Sequence, residues 1–158
     1  MIRLSKRLQA VADQMFSGGV AADIGCDHAF VSIYLVSEGK ASAAIAMDVN
    51  PGPLERAAAH VQEAGLEDRI SLRLSDGMDK LEAGEADTII VSGMGGALTE
   101  RILRAKQNVV QSAKELVLSP QSEIYKVRYC LHELGFRIAS EKMVKDKEKY
   151  YVIMRAVP

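Results

Sequence analysis

Short apolar runs ending in an acid or a glycine alternate with stretches of helical spacing along most of the chain. Leu4, Leu8, Val11 and Met15 form one helical stripe, with Arg3, Lys6 and Arg7 on the opposite face, and predict a first helix. Val20 to Ile24 predicts a strand, and Phe30 to Glu38 a short helix closed by Gly39. The pattern then repeats. Ala43 to Met47 predicts a strand ending at Asp48, and Pro53 opens a helix carrying Leu54, Ala57, Ala58 and Val61 on one face until Gly65 stops it. Ile70 to Leu74 predicts the next strand. Asp87 to Val91 is a β-rich run broken by Ser92-Gly-Met-Gly-Gly96, after which Ala97 to Arg104 reads as helix. Glu115 to Ser119 is a strand closed by Pro120 and followed by a helix around Ile124 to Leu134. Phe136 to Val144 and Tyr150 to Ala156 are two strands split by a charged hairpin turn, Lys145-Asp-Lys-Glu-Lys149.

Strands that alternate with helices predict an α/β fold, a parallel sheet covered on both faces. The closing pair, with no helix between its strands, adds an antiparallel strand. Ligands of such sheets bind beyond the carboxyl ends of the strands at the switch point, which directs attention to the turns at Gly25, Asp48, Asp76 and Ser92.

Composition narrows the picture without changing it. The 158 residues suffice for one core, so residues 1–158 are expected to form one domain. No apolar run approaches the length of a membrane span, and the N-terminus lacks the pattern of a signal peptide, so a cytoplasmic protein is expected. Cys26 and Cys130 make neither a disulfide framework nor a metal-type cysteine pair. A net charge of −1 argues against indiscriminate nucleic-acid binding, though the Arg3, Lys6, Arg7 face and the late lysines 142, 145, 147 and 149 are local basic patches. Solvation is the simplest account of both.

The candidate chemistry gathers at Ala21-Ala-Asp-Ile-Gly-Cys-Asp-His-Ala-Phe30. Cys26 and His28 are too close in sequence for the usual structural zinc sites, and there is no second cluster, so no metal is expected. Cys26 as a nucleophile served by His28 is also disfavoured, because neighbours on a turn need not face each other. Asp48, at the tip of the second strand, is placed to meet the hydroxyls of an adenosine ribose. A nicotinamide cofactor would further require G-x-G-x-x-G after the first strand, and only Gly25 is present there. S-adenosylmethionine has no pyrophosphate, and its sulfonium and amino groups favour nearby acids such as Asp23 and Asp27. Asp76, in Leu74-Ser-Asp-Gly-Met78, can accept from the adenine amino group, with Met78 against the ring.

These stretches, ADIGCDHAF, AIAMDVNPGPLERA, RLSDGM and TIIVSGMGG, resemble the bacterial tRNA (adenine(22)-N1)-methyltransferases, S-adenosylmethionine-dependent enzymes of class I, and the resemblance spans nearly the whole chain. It implies a Rossmann-like, seven-stranded sheet with Asp23, Gly25, Asp48, Asp76 and Gly93 lining the cofactor pocket. His28, Val49, Asn50, Gly77 and Met78 complete the expected set. It further implies tRNA as substrate; by the charge pattern Arg3, Lys6 and Arg7, helped by the late lysines, are the cations expected to meet its phosphates. Many adenine-N methyltransferases grip the base with a polar residue, two prolines and an aromatic after strand four. Ser92-Gly-Met-Gly-Gly96 stands there instead, which leaves His28 or Phe30 as candidate stacking partners. The family also has a helical, coiled-coil region after the catalytic domain. That region is expected to be absent from this sequence, and weak tRNA recognition is expected with it.

Adenine N1 carries a free lone pair, so its methylation needs alignment and compensation of a cationic product rather than a base. Asp27 is the candidate for that work; a turn-forming role or a contact to the cofactor amine explains it equally well. The alternative to an enzyme is a module that binds S-adenosylmethionine or RNA without turnover of its own.

Overall fold

The computed structural model describes residues 2–158. Helix α1 (Lys6–Asp13) is capped by Ser5, whose hydroxyl accepts from the Leu8 N–H at 3.2 Å. The cap starts the helix after Arg3, so Arg3 does not share a helical face with Lys6 and Arg7 as the sequence pattern suggested. Strand β1 (Val20–Ile24), α2 (Phe30–Ser37), β2 (Ala43–Asp48), α3 (Pro51–Glu63) and β3 (Ile70–Leu74) follow. Helix α3 begins at Pro51, two residues before the expected Pro53. Then come β4 (Thr88–Ser92), α4 (Gly96–Ala105), the short α5 (Gln107–Ser112), β5 (Glu115–Ser119) and α6 (Ile124–Glu133). Helix α5 has too few residues to show a hydrophobic period, and the sequence pattern carries no signal for it.

Strands β6 (Arg137–Asp146) and β7 (Lys149–Val157) form a hairpin tighter than the sequence suggested. Only Lys147 and Glu148 lie between the strands, at φ 50° and 70°. Both are left-handed, as a two-residue hairpin turn requires, although neither is a residue that normally signals such a turn.

The seven strands are ordered β3-β2-β1-β4-β5-β7-β6, parallel from β3 to β5, with β7 antiparallel to both neighbours. The chain steps outward from β1 to β3 and then returns to β4 on the other side of β1. The carboxyl ends of β1 and β4 are therefore the switch point of the sheet. Alternate residues feed two cores. Ala22, Ile24, Ile89, Val91, Leu116 and Leu118 pack under α4, α5 and α6. Ala21, Ala44, Ala46, Ile90 and Val117 pack under α1, α2 and α3. The amino ends are tied by the fully buried Glu115, which accepts from the Phe16 and Ser17 N–H groups, Thr88 Oγ1 and Arg155 Nε. Burial pushes its carboxyl up, but those bonds outweigh it and hold the group below the usual carboxylate range. This tied end lies opposite the carboxyl ends of the strands.

Candidate active site

Strand β1 ends in a turn whose backbone is committed to β2. Gly25 and Cys26 N–H groups both donate to the Met47 carbonyl, at 2.8 and 2.9 Å. Gly25 sits at φ +74°, in the left-handed region that favours glycine, and a Cβ there would displace the terminal methyl of Met94. Asp27 and Ala29 follow at φ 50° and 62°. Left-handed backbone at two residues with side chains is held strain of the kind found in ligand-binding turns.

Two carboxylates frame this turn in opposite ways. Asp23 is buried, accepts from Ser32 Oγ at 3.1 Å, and has its carboxyl pushed up to about 6, by burial first, against the Ser32 bond, with Asp48 and Asp27 adding to the rise. Asp48 is only partly buried. Its Oδ1 accepts from the Asn50 N–H at 3.0 Å and its Oδ2 from the Asp27 N–H at 3.4 Å. The carboxylate is fixed by backbone and retains acceptor capacity at the tip of β2.

The glycine-rich turn after β4 is explained by close approach. Gly93 lies at φ +81°. A Cβ at Gly96 would strike the carbonyls of Ser122 and Glu123, because the Gly96 N–H donates to the Ser122 carbonyl at 2.8 Å. The Gln121 N–H in turn donates to the Met94 carbonyl at 2.8 Å. The loops after β4 and β5 are thereby zipped into one wall.

Two clefts open over these turns. The first, about 360 Å³, is bordered by Arg7, Asp23, Asp27, His28, Phe30, Asn50 and Gln121 among others; the second, about 430 Å³, by Val49, Ser75, Asp76, Gly77, Met94, Leu98, Arg101 and Ile102. Gly25, Asp48, Ser92 and Gly93 belong to both. The first cleft is acidic; the second has an apolar wall with one exposed carboxylate, Asp76.

At the outer side of the first cleft His28 stacks on Phe30, with centroids 5.0 Å apart and planes at 8°, and His60 closes on both rings at 5.3 and 4.7 Å. His28 Nδ1 is buried without a hydrogen-bond partner. Asp27 is exposed, 3.8 Å from Arg56 and 3.9 Å from His28 Nε2. Cys26 is buried, and burial first, then the charges of Asp23, Asp48 and Asp27, push its thiol up, which speaks against a nucleophilic role. Among the described residues no three His, Cys, Asp or Glu side chains are grouped to hold a metal ion.

The family model for the methyltransferase domain matches residues 4–154. The chain belongs to that family. It is 38% identical over 155 residues to the tRNA (adenine(22)-N(1))-methyltransferase of Bacillus subtilis, covering 98% of this chain but just 65% of that protein. The crystal structure of the B. subtilis m1A22 tRNA methyltransferase TrmK superposes with a TM-score of 0.95 at 37% identity, over 99% of this chain and 67% of that one. A Streptococcus pneumoniae structure in complex with S-adenosyl-L-methionine matches with a TM-score of 0.94 at 33% identity, over 98% of this chain and 73% of that one.

In this methyltransferase domain, Asp23, Gly25, Asp27, His28, Asp48, Asn50 and Gly93 border the first cleft, and Val49, Asp76 and Gly77 the second. Met78 does not. Its side chain is buried in the core with Ile102 and Leu103, and the apolar side chains that line the second cleft are Val49, Met94, Leu98 and Ile102 among others. Of the three N-terminal cations only Arg7 borders a cleft; Arg3 and Lys6 are exposed outside it. Gln121 borders the first cleft and Arg56 lies beside Asp27, and the sequence pattern singles out neither. The rule that strand ends meet the ligand, applied to β5, points to Gln121; the pairing of Arg56 with Asp27 has no sequence signal.

Proposed function

We propose that this domain, residues 1–158, transfers the methyl group of S-adenosylmethionine to N1 of an adenine in tRNA, at position 22 by likeness to its relatives. The observation that carries the reading is the meeting of an acidic and an apolar cleft over Gly25 and Gly93, with Asp48 on their boundary. A two-ended ligand with a ribose at its middle suits that arrangement.

The residues fit this cofactor. A surplus of carboxylates, Asp23, Asp27 and Asp48, suits its sulfonium and ammonium. Asp48 presents acceptors to the ribose hydroxyls, and Asp76 beside Leu98 and Ile102 suits an adenine edge and face. When bound, the cofactor supplies an electrophilic methyl group. The chain's own part is to orient the base and compensate charge. Target N1 has an in-plane lone pair, so no residue has to remove a proton from it, and Asp27 at the mouth offsets the positive charge the base acquires.

A base in folded RNA must be unstacked to reach the cleft. The His28, Phe30 and His60 rings offer it a surface. The β6–β7 hairpin supports contact with flanking nucleotides. Leu118 of β5 pairs with Met154, so residues 142 to 152 run past the carboxyl end of β5, carrying lysines 142, 145, 147 and 149 and the exposed Tyr150. Among the described residues no helix is long and apolar enough to cross a membrane. A tRNA substrate places the work in the cytoplasm.

The test is a mass map of modified nucleosides in tRNA from cells with and without the protein. Loss of 1-methyladenosine at one position supports the reading, and an unchanged map contradicts it.

A further inference from the structure

The first cleft runs from the end of β2 to the end of β5, and its polar groups are unevenly shared between the strands. Asp48 and Asn50 stand at the β2 end, and Asp23, Asp27 and His28 along β1 and the turn after it. From the β5 end, among the described residues, the cleft receives only Gln121.

Gln121 is held by its backbone. Pro120 precedes it, its N–H donates to the Met94 carbonyl at 2.8 Å, and the carbonyl of the next residue, Ser122, accepts from the Gly96 N–H at 2.8 Å. The residue is exposed, and among the described residues its carboxamide is bound to no other group. Its position is therefore set by the strand ends, while its donor and acceptor are left over for a ligand.

A carboxamide meets adenine in one bidentate way that suits transfer to N1. Nε2–H donates to N7, and Oε1 accepts from the N6 amino group. The N1 lone pair stays open to the methyl group, whereas a contact on the base-pairing edge would occupy it. Guanine carries an oxygen in place of the amino group, so Oε1 would face a second acceptor. The strand order agrees with this placement. Only β4 lies between β1 and β5, so their ends are two strand spacings apart, roughly 10 Å, which leaves room for one purine and a hydrogen bond between the turn after β1 and Gln121.

We infer that Gln121 reads the N6 and N7 edge of the target adenine, holds N1 toward the methyl group, and sets the choice of adenine over guanine. The inference rests on the adenine-N1 transfer proposed above. As the base becomes cationic its amino group becomes the stronger donor, so the contact to Oε1 tightens while the reaction proceeds.

The experiment measures kcat/KM for methyl transfer by wild type, Gln121→Leu and Gln121→Glu to tRNA carrying adenine or 7-deazaadenine at position 22. The second base keeps N1 and the amino group and has a carbon in place of N7. Gln121→Leu should lose roughly ten- to a hundredfold on adenine, the range of a bidentate pair. The preference for adenine over 7-deazaadenine should be roughly three- to tenfold larger in wild type than in Gln121→Leu, the range of one neutral hydrogen bond; the intrinsic reactivity of the two bases cancels in this comparison. Gln121→Glu, which keeps the acceptor and removes the donor, should lose the preference at least as fully. S-adenosylmethionine affinity by calorimetry should stay within about twofold in both variants, as for other exposed positions, and reports that they are folded. An equal preference in wild type and variants would overturn the inference whatever the loss of rate, as would unchanged rates on adenine. A loss of S-adenosylmethionine affinity matching the loss of rate would place Gln121 in the cofactor seat and overturn it too. Wild type that binds S-adenosylmethionine and transfers nothing to the adenine tRNA would instead overturn the function on which the inference stands.

Discussion

The Ser32 hydroxyl donates to Asp23 Oδ2 at 3.1 Å, and both residues are buried beneath the acidic cleft. One hydroxyl is too little for a buried carboxylate. Its folded pKa of about 6 lies above the unfolded value of 3.8 because burial disfavours the charge. The unfolded chain therefore ionises first, and the stability that Asp23 leaves in place at low pH is lost as pH rises from near 4 through 6.

Asp23→Asn should accordingly stabilise the ligand-free protein above pH 6, by at most about 3 kcal/mol at 1.36 kcal/mol per pKa unit. The gain should vanish below about pH 4, near the carboxyl's unfolded value. Thermal melts of both forms across this range check the sign. S-adenosylmethionine affinity should fall in the same variant, since the charge that costs stability is the one offered to the ligand.

Asp48→Ala should weaken S-adenosylmethionine by roughly ten- to a hundredfold, the loss of a charged acceptor. Calorimetry measures it. Because Asp48 also accepts from the Asn50 and Asp27 N–H groups, Asp48→Asn is the better control for the turn itself and should lose less. Unchanged affinity in both variants would remove Asp48 from the cofactor site.

Asp27→Asn should lower turnover more than cofactor affinity, because the charge is needed most when the base becomes cationic. Single-turnover rates set against S-adenosylmethionine affinity separate the two. Equal losses would make Asp27 a cofactor residue only.

Replacing Lys142, Lys145, Lys147 and Lys149 by Ala should weaken tRNA binding and flatten its salt dependence, each lost phosphate contact reducing the slope by about one unit. S-adenosylmethionine affinity should not change. A titration series across salt concentrations checks this, and an unaltered slope would mean that the RNA crosses another face.

The placement of the strand ends was legible from the chain because each of the first four strands closes in an acid, a glycine or both, and the structure collects Asp23, Gly25, Asp48, Asp76 and Gly93 around two joined clefts. What remained hidden depended on side-chain direction or on contacts distant in sequence. Met78 sits beside a cleft-lining glycine, but its side chain turns into the core. The Ser5 cap parts Arg3 from Arg7, and only the fold brings Arg7 to Ser92, Asp146 and Tyr151. The tight turn at Lys147 and Glu148 uses left-handed backbone without glycine or asparagine, so charge alone made it look longer.

The most direct test of the account is transfer of a labelled methyl group from S-adenosylmethionine by the purified protein to two tRNA transcripts, one with adenine and one with guanine at position 22. The account predicts label in 1-methyladenosine from the first transcript and none from the second. Label in any other nucleoside, equal labelling of both transcripts, or cofactor binding without transfer to either would contradict it.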